Sequence, residues 1–133
     1  MKKILSIDDE PMMLRCIKSA LERPGYQLIT TDDPVRGVEI IRDSDDISLV
    51  LLDVRMPGTS GFDVYREIIN HKRIPVLFVT AYPRSFNAND TEIEDMWQNG
   101  FAEGSTDIIY KPFEIDTLFE KVEALIGPAD TEE

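Results

Sequence analysis

The sequence predicts a doubly wound α/β fold, in which a parallel β-sheet carries helices on both of its faces. Apolar runs of strand length alternate five times with amphipathic runs of helical length along the 133 residues. This strict alternation indicates βα units joined by right-handed crossovers, so the strands are expected to run parallel. Three of the five strand-like runs are almost continuously apolar, which is typical of central strands covered on both sides.

The boundaries of the predicted elements follow from residues that start and stop helices. Strands are predicted at residues 3–7, 26–30, 47–52, 74–79 and 107–110, and helices at residues 10–22, 34–42, 61–70, 91–99 and 114–126. Pro11 suits the first turn of the first helix, whereas Pro24 and Gly25 stop it. Asp33 is expected to cap the second helix, and Thr91 opens a capping box that starts the fourth.

The composition is that of one folded and strongly acidic domain. Hydrophobic residues make up 42% and charged residues 30% of the chain, which excludes an intrinsically disordered class. The formal net charge of -12 argues against direct nucleic-acid binding by this domain, because phosphate contacts need a basic surface. We expect residues 1–127 to form the domain and residues 128–133 to be a polar tail or the start of a linker.

Cysteine usage and the N-terminal region favour a cytoplasmic location. Cys16 is the only cysteine, so the chain cannot form an internal disulfide, and a reducing compartment fits this composition. Cys16 itself is expected to be a small core residue of the first helix. The first apolar run has only five residues, too few for a signal peptide or a membrane span. We therefore expect a cytoplasmic protein without membrane association.

Polar side chains follow four of the predicted strands, at the point where each strand ends. Asp8 and Asp9 follow the first strand, Asp53 the third, Thr80 the fourth and Lys111 the fifth. Ligands bind at the carboxyl ends of the strands in an open parallel sheet, so these side chains are candidates for one site. Three carboxylates and one ammonium group are typical of a site for a hard cation and a phosphate group.

The adjacent pair of Asp8 and Asp9 points to a metal ion. Two neighbouring negative charges destabilise each other unless a cation offsets them. Mg²⁺ does so with carboxylates, carbonyls and waters in an octahedral shell, and Asp53 supplies a third carboxylate. The alternative is that Asp8 caps the following helix and Asp9 is solvated, since Asp is a common N-cap residue.

Asp53 is the candidate nucleophile of the site. A carboxylate beside Mg²⁺ and an ammonium group can attack phosphorus and form an aspartyl phosphate. Lys111 is expected to pair with Asp53 at rest and with the phosphoryl oxygens afterwards, and the Thr80 hydroxyl can donate to the same oxygens. Taken singly, Thr80 is an ordinary strand-end threonine and Lys111 a solvated lysine. Their occurrence together with the acids at four strand ends favours the functional interpretation.

Motifs that occur in a fixed order cover nearly the whole chain. The segments are DDEP at residues 8–11, LLDVRMPG at 51–58, VTA at 79–81 and GSTDIIYKPF at 104–113. In these segments the chain resembles the receiver domain of response regulators in two-component signalling. The resemblance implies a flavodoxin-like (βα)5 sheet with strand order 2-1-3-4-5. It also implies a cis peptide bond between Lys111 and Pro112, since X-Pro bonds tolerate the cis form.

The same resemblance implies roles for the site residues. Asp53 would accept a phosphoryl group from a histidine kinase or a phosphotransfer protein. Asp9, Asp53 and the backbone carbonyl of Arg55 would hold Mg²⁺, and Asp8 would contact it mostly through water. Thr80 would follow the phosphoryl group, and the changed surface would bind a downstream effector protein or domain.

Three rival functions have weaker support in the sequence. An aspartyl-phosphate-forming hydrolase needs a second acid two residues after the nucleophile, where this chain has Arg55. A flavodoxin-like cofactor binder needs a Gly-rich or Ser-rich loop after the first strand, where this chain has acids. A receiver that signals without phosphate is disfavoured by the complete set of acids. We therefore expect a switch that assists its own phosphorylation and dephosphorylation, not an enzyme with a separate substrate.

Three departures from the family pattern bear on the switch. Ile108 stands three residues before Lys111, where the family usually has Tyr or Phe, so an aromatic side-chain swing is not expected. Residues 82–90 are predicted to form an extended loop, and we expect activation to change this loop and the helix that begins near Thr91. Tyr82 lies where the family lines the approach of the hydrolytic water, which favours slow loss of phosphate.

Overall fold

The computed structural model describes residues 2–56, 58–80 and 106–129, and five parallel strands form its central sheet. In chain order the strands are Lys3–Ile7 (β1), Gln27–Thr31 (β2), Ile47–Asp53 (β3), Arg55–Met56 (β4), Thr59–Ser60 (β5), Val76–Thr80 (β6) and Thr106–Tyr110 (β7). The main sheet has the order β2-β1-β3-β6-β7, and β4 and β5 form a separate antiparallel hairpin. The predicted order 2-1-3-4-5 is confirmed, because β6 and β7 are the fourth and fifth strands of the main sheet.

Helices cover both faces of this sheet. They are Pro11–Glu22 (α1), Pro34–Asp43 (α2), Gly61–His71 (α3) and Ile115–Ile126 (α4). On one face, Ile68 of α3 packs in the same core cluster as Leu52 of β3, and α2 also contributes to this cluster. On the other face, Ile17 of α1 and Leu118 of α4 share a second cluster with Leu51. Successive residues of β3 thus point into opposite cores, which explains its continuously apolar sequence.

Each described element begins and ends within two residues of its predicted boundaries. The second strand begins one residue later than predicted, because Tyr26 belongs to the preceding turn, where its N–H donates to the Leu21 carbonyl at 3.2 Å. The β4–β5 hairpin was not predicted, since two-residue strands leave no periodic pattern; Gly58 supports its turn with a φ of 79°. The predicted loop at 82–90 and helix at 91–99 lie outside the described residues.

The prediction that Cys16 is a core residue was wrong, because Cys16 is exposed on α1. The buried positions of this helix are Leu14, Ile17 and Leu21. At about 100° per residue, Cys16 lies on nearly the opposite side of the helix from this stripe. No helix in the described part of the chain is long and apolar enough to cross a membrane.

Four residues fasten the end of α4 to the base of the sheet, and we call them the C-terminal clasp: Lys2, Tyr26, Gly127 and Ala129. The Tyr26 hydroxyl donates to the Gly127 carbonyl at 2.6 Å, and the Lys2 ammonium donates to the Ile126 carbonyl. The Lys2 N–H also donates to the Ala129 carbonyl at 3.5 Å. Because Lys2 and Tyr26 precede β1 and β2, the clasp lies at the amino ends of the strands.

Gly61 begins α3 directly against the backbone that leaves β3. Its N–H donates to the Val54 carbonyl at 2.8 Å. A Cβ atom at this position would clash with the carbonyl oxygen of Asp53 and would lie 2.7 Å from the Val54 Cα. Only glycine allows this approach, so the start of α3 fixes the path of the chain immediately after Asp53.

The Gly61→Ala substitution is therefore expected to lower the free energy of unfolding by about 1–3 kcal/mol, as overpacking of a rigid contact does. Urea unfolding is the measurement. Gly37→Ala in α2 is the matched control, because its Cβ would meet side-chain atoms, mainly those of Ile7, and no backbone atom of another segment. Alanine also favours the helix by about 1 kcal/mol there, so we expect a smaller loss. Unchanged stability of Gly61→Ala would contradict the close approach.

Candidate functional site

The carboxyl ends of four parallel strands bring the predicted site residues to one edge of the sheet. Asp8 and Asp9 follow β1, Asp53 is the last residue of β3, Thr80 is the last residue of β6 and Lys111 follows β7. Asp53 is paired in register with Val79, so Thr80 lies one position beyond it on the neighbouring strand. The parallel arrangement thus accounts for the convergence that the sequence predicted.

Asp8, Asp9 and Asp53 form one carboxylate cluster. One oxygen from each residue lies within 4.8 Å of the other two. Asp8 is 1% exposed and Asp53 4% exposed, whereas Asp9 is only partly buried. Opposite ligands of an octahedral Mg²⁺ ion are about 4.2 Å apart, so small side-chain movements would allow one ion to contact all three oxygens. The donor set of hard carboxylate oxygens therefore fits this cation.

Asp8 has two roles in the structure. Its Oδ1 accepts a hydrogen bond from the Glu10 backbone N–H at 2.9 Å, and its Oδ2 accepts one from the Lys111 ammonium at 3.2 Å. The first contact closes a local turn before α1, although the N-cap position itself belongs to Glu10, which makes no side-chain cap. Asp8 thus makes a local hydrogen bond before α1, as the capping alternative expected, and it also contacts Lys111.

Lys111 lies among three carboxylates. Its Nζ is 2.9 Å from Glu10 Oε1, 3.2 Å from Asp8 Oδ2 and 3.6 Å from Asp53 Oδ2. Burial by itself would lower the pKa of Lys111, but the hydrogen bond to Glu10 and the charges of Asp53 and Asp8 outweigh it, so the pKa is raised. Lys111 therefore stays charged, and the predicted pairing with Asp53 is present but is the longest of the three.

Glu10 was not among the predicted site residues. The sequence places it directly after Asp8 and Asp9, where the turn into α1 directs its long side chain toward Lys111. The sequence feature that could have indicated its role is that Glu10 is a third acid directly after Asp8 and Asp9, which already need a positive charge nearby. Sequence alone does not show which of these acids a lysine 101 positions away will reach.

Asp53 is an unusual carboxyl group because it is buried beside another acid. Burial and the charge of Asp8 raise the pKa of Asp53 to about 7, against the opposing effects of Lys111 and of the Arg55 backbone N–H. That N–H donates to Asp53 Oδ1 at 3.3 Å. Near neutral pH the group therefore exchanges readily between a protonated form and a nucleophilic carboxylate.

The Thr80 hydroxyl is buried and has no hydrogen-bond partner in the described ranges. Its backbone carbonyl accepts from the Lys111 N–H at 2.7 Å, which ties the ends of β6 and β7 together. A buried hydroxyl without a partner is costly, so an acceptor that arrives at this edge is favoured. The predicted cis peptide bond between Lys111 and Pro112 is present.

The sequence analysis also made predictions about three residues beside the site, Arg55, Ile108 and Tyr82. The Arg55 side chain is exposed, and its backbone carbonyl as a metal ligand stays a prediction. Ile108 is partly buried and packs against the core cluster that α2 and α3 cover. Its branched aliphatic side chain thus occupies the position at which the family usually carries an aromatic one. Tyr82 lies outside the described residues.

Comparison with known proteins agrees with this geometry. ResD, a transcriptional regulatory protein of Bacillus subtilis, is 35% identical over 129 residues, which are 96% of this chain and 49% of that protein. PilH of Pseudomonas aeruginosa is 30% identical over 130 residues, which are 96% of this chain and 99% of PilH. The chain thus spans about half the length of ResD and nearly all of PilH.

A solved structure shows the same fold in detail. The response regulator TrrA of Thermotoga maritima, crystallised with Mg²⁺ and BeF, superposes with a TM-score of 0.74 at 29% identity over 94% of this chain and 99% of that one. The family model of the response regulator receiver domain matches residues 4–123. With the five-stranded sheet and the carboxylate cluster at its edge, this match establishes that the chain belongs to the family of response regulator receiver domains.

Proposed function

We propose that this receiver domain is a switch that accepts a phosphoryl group on Asp53 from a histidine kinase or a phosphotransfer protein. The observation that carries the proposal is the convergence of Lys111 with the buried carboxylates of Asp8 and Asp53 at one sheet edge. The structure of TrrA with Mg²⁺ and BeF supports a similar ligand set here. We place the switch in the cytoplasm, with a downstream effector protein or domain as its output.

Asp8, Asp9 and Asp53 would hold Mg²⁺, and the Arg55 carbonyl would be a further ligand. When bound, Mg²⁺ offsets the repulsion within the carboxylate cluster and the negative charge of the incoming phosphoryl group. Lys111 and Thr80 supply the remaining donors. The Lys111 ammonium is charged and 3.6 Å from Asp53 Oδ2, so it needs only a small movement to donate to a phosphoryl oxygen.

The transfer step exchanges one bond to phosphorus for another. An ionised oxygen of Asp53 forms a new O–P bond while the N–P bond of the donor phosphohistidine breaks. The electron pair of the broken bond stays on the imidazole nitrogen that held phosphorus, and a proton carried by the other ring nitrogen lets the donor leave as neutral imidazole. Asp53 gains an acyl phosphate, and the Thr80 hydroxyl, which has no partner among the described residues, gains an acceptor. We infer that this new contact draws in the end of β6 and changes the surface for a partner.

Asp53→Asn is expected to abolish modification by acetyl phosphate and Mg²⁺, because an amide is not a nucleophile toward phosphorus. Intact-mass spectrometry at neutral pH would show the addition of one phosphoryl group to the wild-type chain and none to the variant. Asp32→Asn is the matched control, since Asp32 is exposed and follows the neighbouring strand β2. An equal yield of modified protein in Asp53→Asn would rule out Asp53 as the acceptor.

The raised pKa of Asp53 predicts a pH-dependent stability of the metal-free protein. The pKa of about 7 in the folded state exceeds the usual value of about 4 in the unfolded state. Asp53 therefore contributes stability that is complete below about pH 4 and is lost as the pH rises through 7. Asp53→Asn removes this titration, so its stability relative to wild type should rise by about 1 kcal/mol between pH 5 and pH 8, after allowance for solvent screening.

Urea unfolding in EDTA at both pH values measures this difference. Groups away from the site titrate alike in both proteins, so the change in the stability difference reports Asp53 together with its interactions with Asp8 and Lys111. A stability difference that is the same at pH 5 and pH 8 would contradict the assignment of the raised pKa to Asp53.

Mg²⁺ should stabilise the folded wild-type protein, because it binds the carboxylate cluster only when the three acids are held together. Asp9→Asn should lose most of this gain, since it removes the most accessible of the three acids. The measurement is the melting temperature with and without Mg²⁺, in buffer free of Ca²⁺. Asp32→Asn is the control variant and should keep the full gain. If Asp9→Asn keeps the full Mg²⁺-dependent gain, Asp9 is not a ligand.

A further inference from the structure

Lys111 is engaged more closely by Glu10 than by Asp53. An ammonium group has three N–H donors. Two of them are used in hydrogen bonds, to Glu10 at 2.9 Å and to Asp8 at 3.2 Å. Asp53 Oδ2 lies at 3.6 Å from the same nitrogen, outside normal hydrogen-bond distance. The third N–H makes no hydrogen bond among the described residues and can donate to a phosphoryl group on Asp53, but we expect the movement of Lys111 toward that group to lengthen its contact with Glu10.

We infer that Glu10 is a positioning residue that holds Lys111 away from Asp53 in the unphosphorylated protein and releases it when Asp53 is phosphorylated. This inference rests on the proposed function, since it concerns the lysine that would bind the phosphoryl group. In this arrangement Glu10 opposes phosphorylation. The contact between Lys111 and the phosphoryl oxygens stabilises the phosphorylated state less, because the contact with Glu10 has to break first.

Asp8 does not have the same effect once a cation is present. Asp8 belongs to the carboxylate cluster with Asp9 and Asp53, so a bound cation competes directly with Lys111 for its oxygens. Glu10 is outside this cluster and reaches Lys111 from the surface, with 59% of its side chain exposed. Glu10 is thus the partner of Lys111 that remains when the site is loaded with a cation.

The exposure of Glu10 also makes the contact easy to break. Ion pairs in contact with solvent change an equilibrium constant by about fivefold at most. A phosphoryl group carries nearly two negative charges and lies on the buried side of Lys111, where attraction is less screened. The competition therefore favours Asp53 after phosphorylation and Glu10 before it.

The backbone of Glu10 is fixed, so the length of its side chain decides whether it reaches Lys111. The Glu10 N–H donates to Asp8 Oδ1 at 2.9 Å, and the Glu10 carbonyl accepts from the Leu14 N–H at 3.1 Å. Aspartate at this position would keep the negative charge but lose one methylene of reach. Glu10→Asp therefore removes the contact with Lys111 but keeps the negative charge, whereas Glu10→Gln keeps the length of the side chain but removes the charge.

The test is a calorimetric titration with beryllofluoride at saturating Mg²⁺. Both Glu10→Gln and Glu10→Asp are expected to bind beryllofluoride about twofold to fivefold more tightly than wild type, as the loss of an exposed ion pair allows. Glu22→Gln is the matched control, because it makes the same chemical change at the other end of α1 and should bind like wild type. If Glu10→Gln binds more tightly but Glu10→Asp binds like wild type, only charge matters and the inference fails. Weaker or unchanged binding by Glu10→Gln also overturns it.

The NMR signals of the Lys111 side chain provide a readout that a change in overall stability would not move. In the ligand-free protein, the signal of the Lys111 ε-methylene should shift in both Glu10 variants toward its position in the beryllofluoride complex of wild type. In the complexes, all three proteins should give the same signal. Identical ligand-free signals in wild type and variants would overturn the inference. If wild type itself does not bind beryllofluoride, the proposed function fails, whereas binding by wild type with no effect of Glu10 refutes this inference alone.

Discussion

The structure depends on how one edge of the sheet accommodates negative charge. Asp8 and Asp53 are almost completely buried, and among the described residues Lys111 is their shared basic partner. One ammonium group cannot satisfy three carboxylates, so burial raises the pKa of Asp53 instead. The folded protein therefore keeps excess negative charge at this edge, and a bound cation would offset it.

The parallel sheet makes this arrangement possible although Asp53 and Lys111 lie far from Asp8 and Asp9 in the sequence. β1 and β3 are adjacent, so their ends bring Asp8 and Asp53 together, and β7 delivers Lys111 from the far side of β6. Gly61 then fixes the chain that leaves Asp53 by allowing α3 to start against its carbonyl group. The backbone around Asp53 is thus held tightly by the start of α3.

Sequence reasoning succeeded where a regular pattern continues for several residues. The strands and helices have clear periods, and the strand ends locate Asp8, Asp53 and Lys111 because topology determines which ends meet. It failed for Cys16, which was assigned to the core from its residue type although its helical position faces solvent. Glu10 was missed for another reason, since the partner of a long flexible lysine depends on distances between chain segments that no local pattern encodes.

The C-terminal clasp ties α4 to the sheet at the amino ends of the strands. Tyr26 and Lys2 fasten the last turn of α4 at the amino ends of the strands, opposite the edge that carries Asp53. The other end of α4 follows β7 and Lys111, beside the proposed phosphorylation site. A shift of that edge would therefore rotate α4 about its fixed C-terminal end. The largest displacement would occur at its first turn, near Ile115.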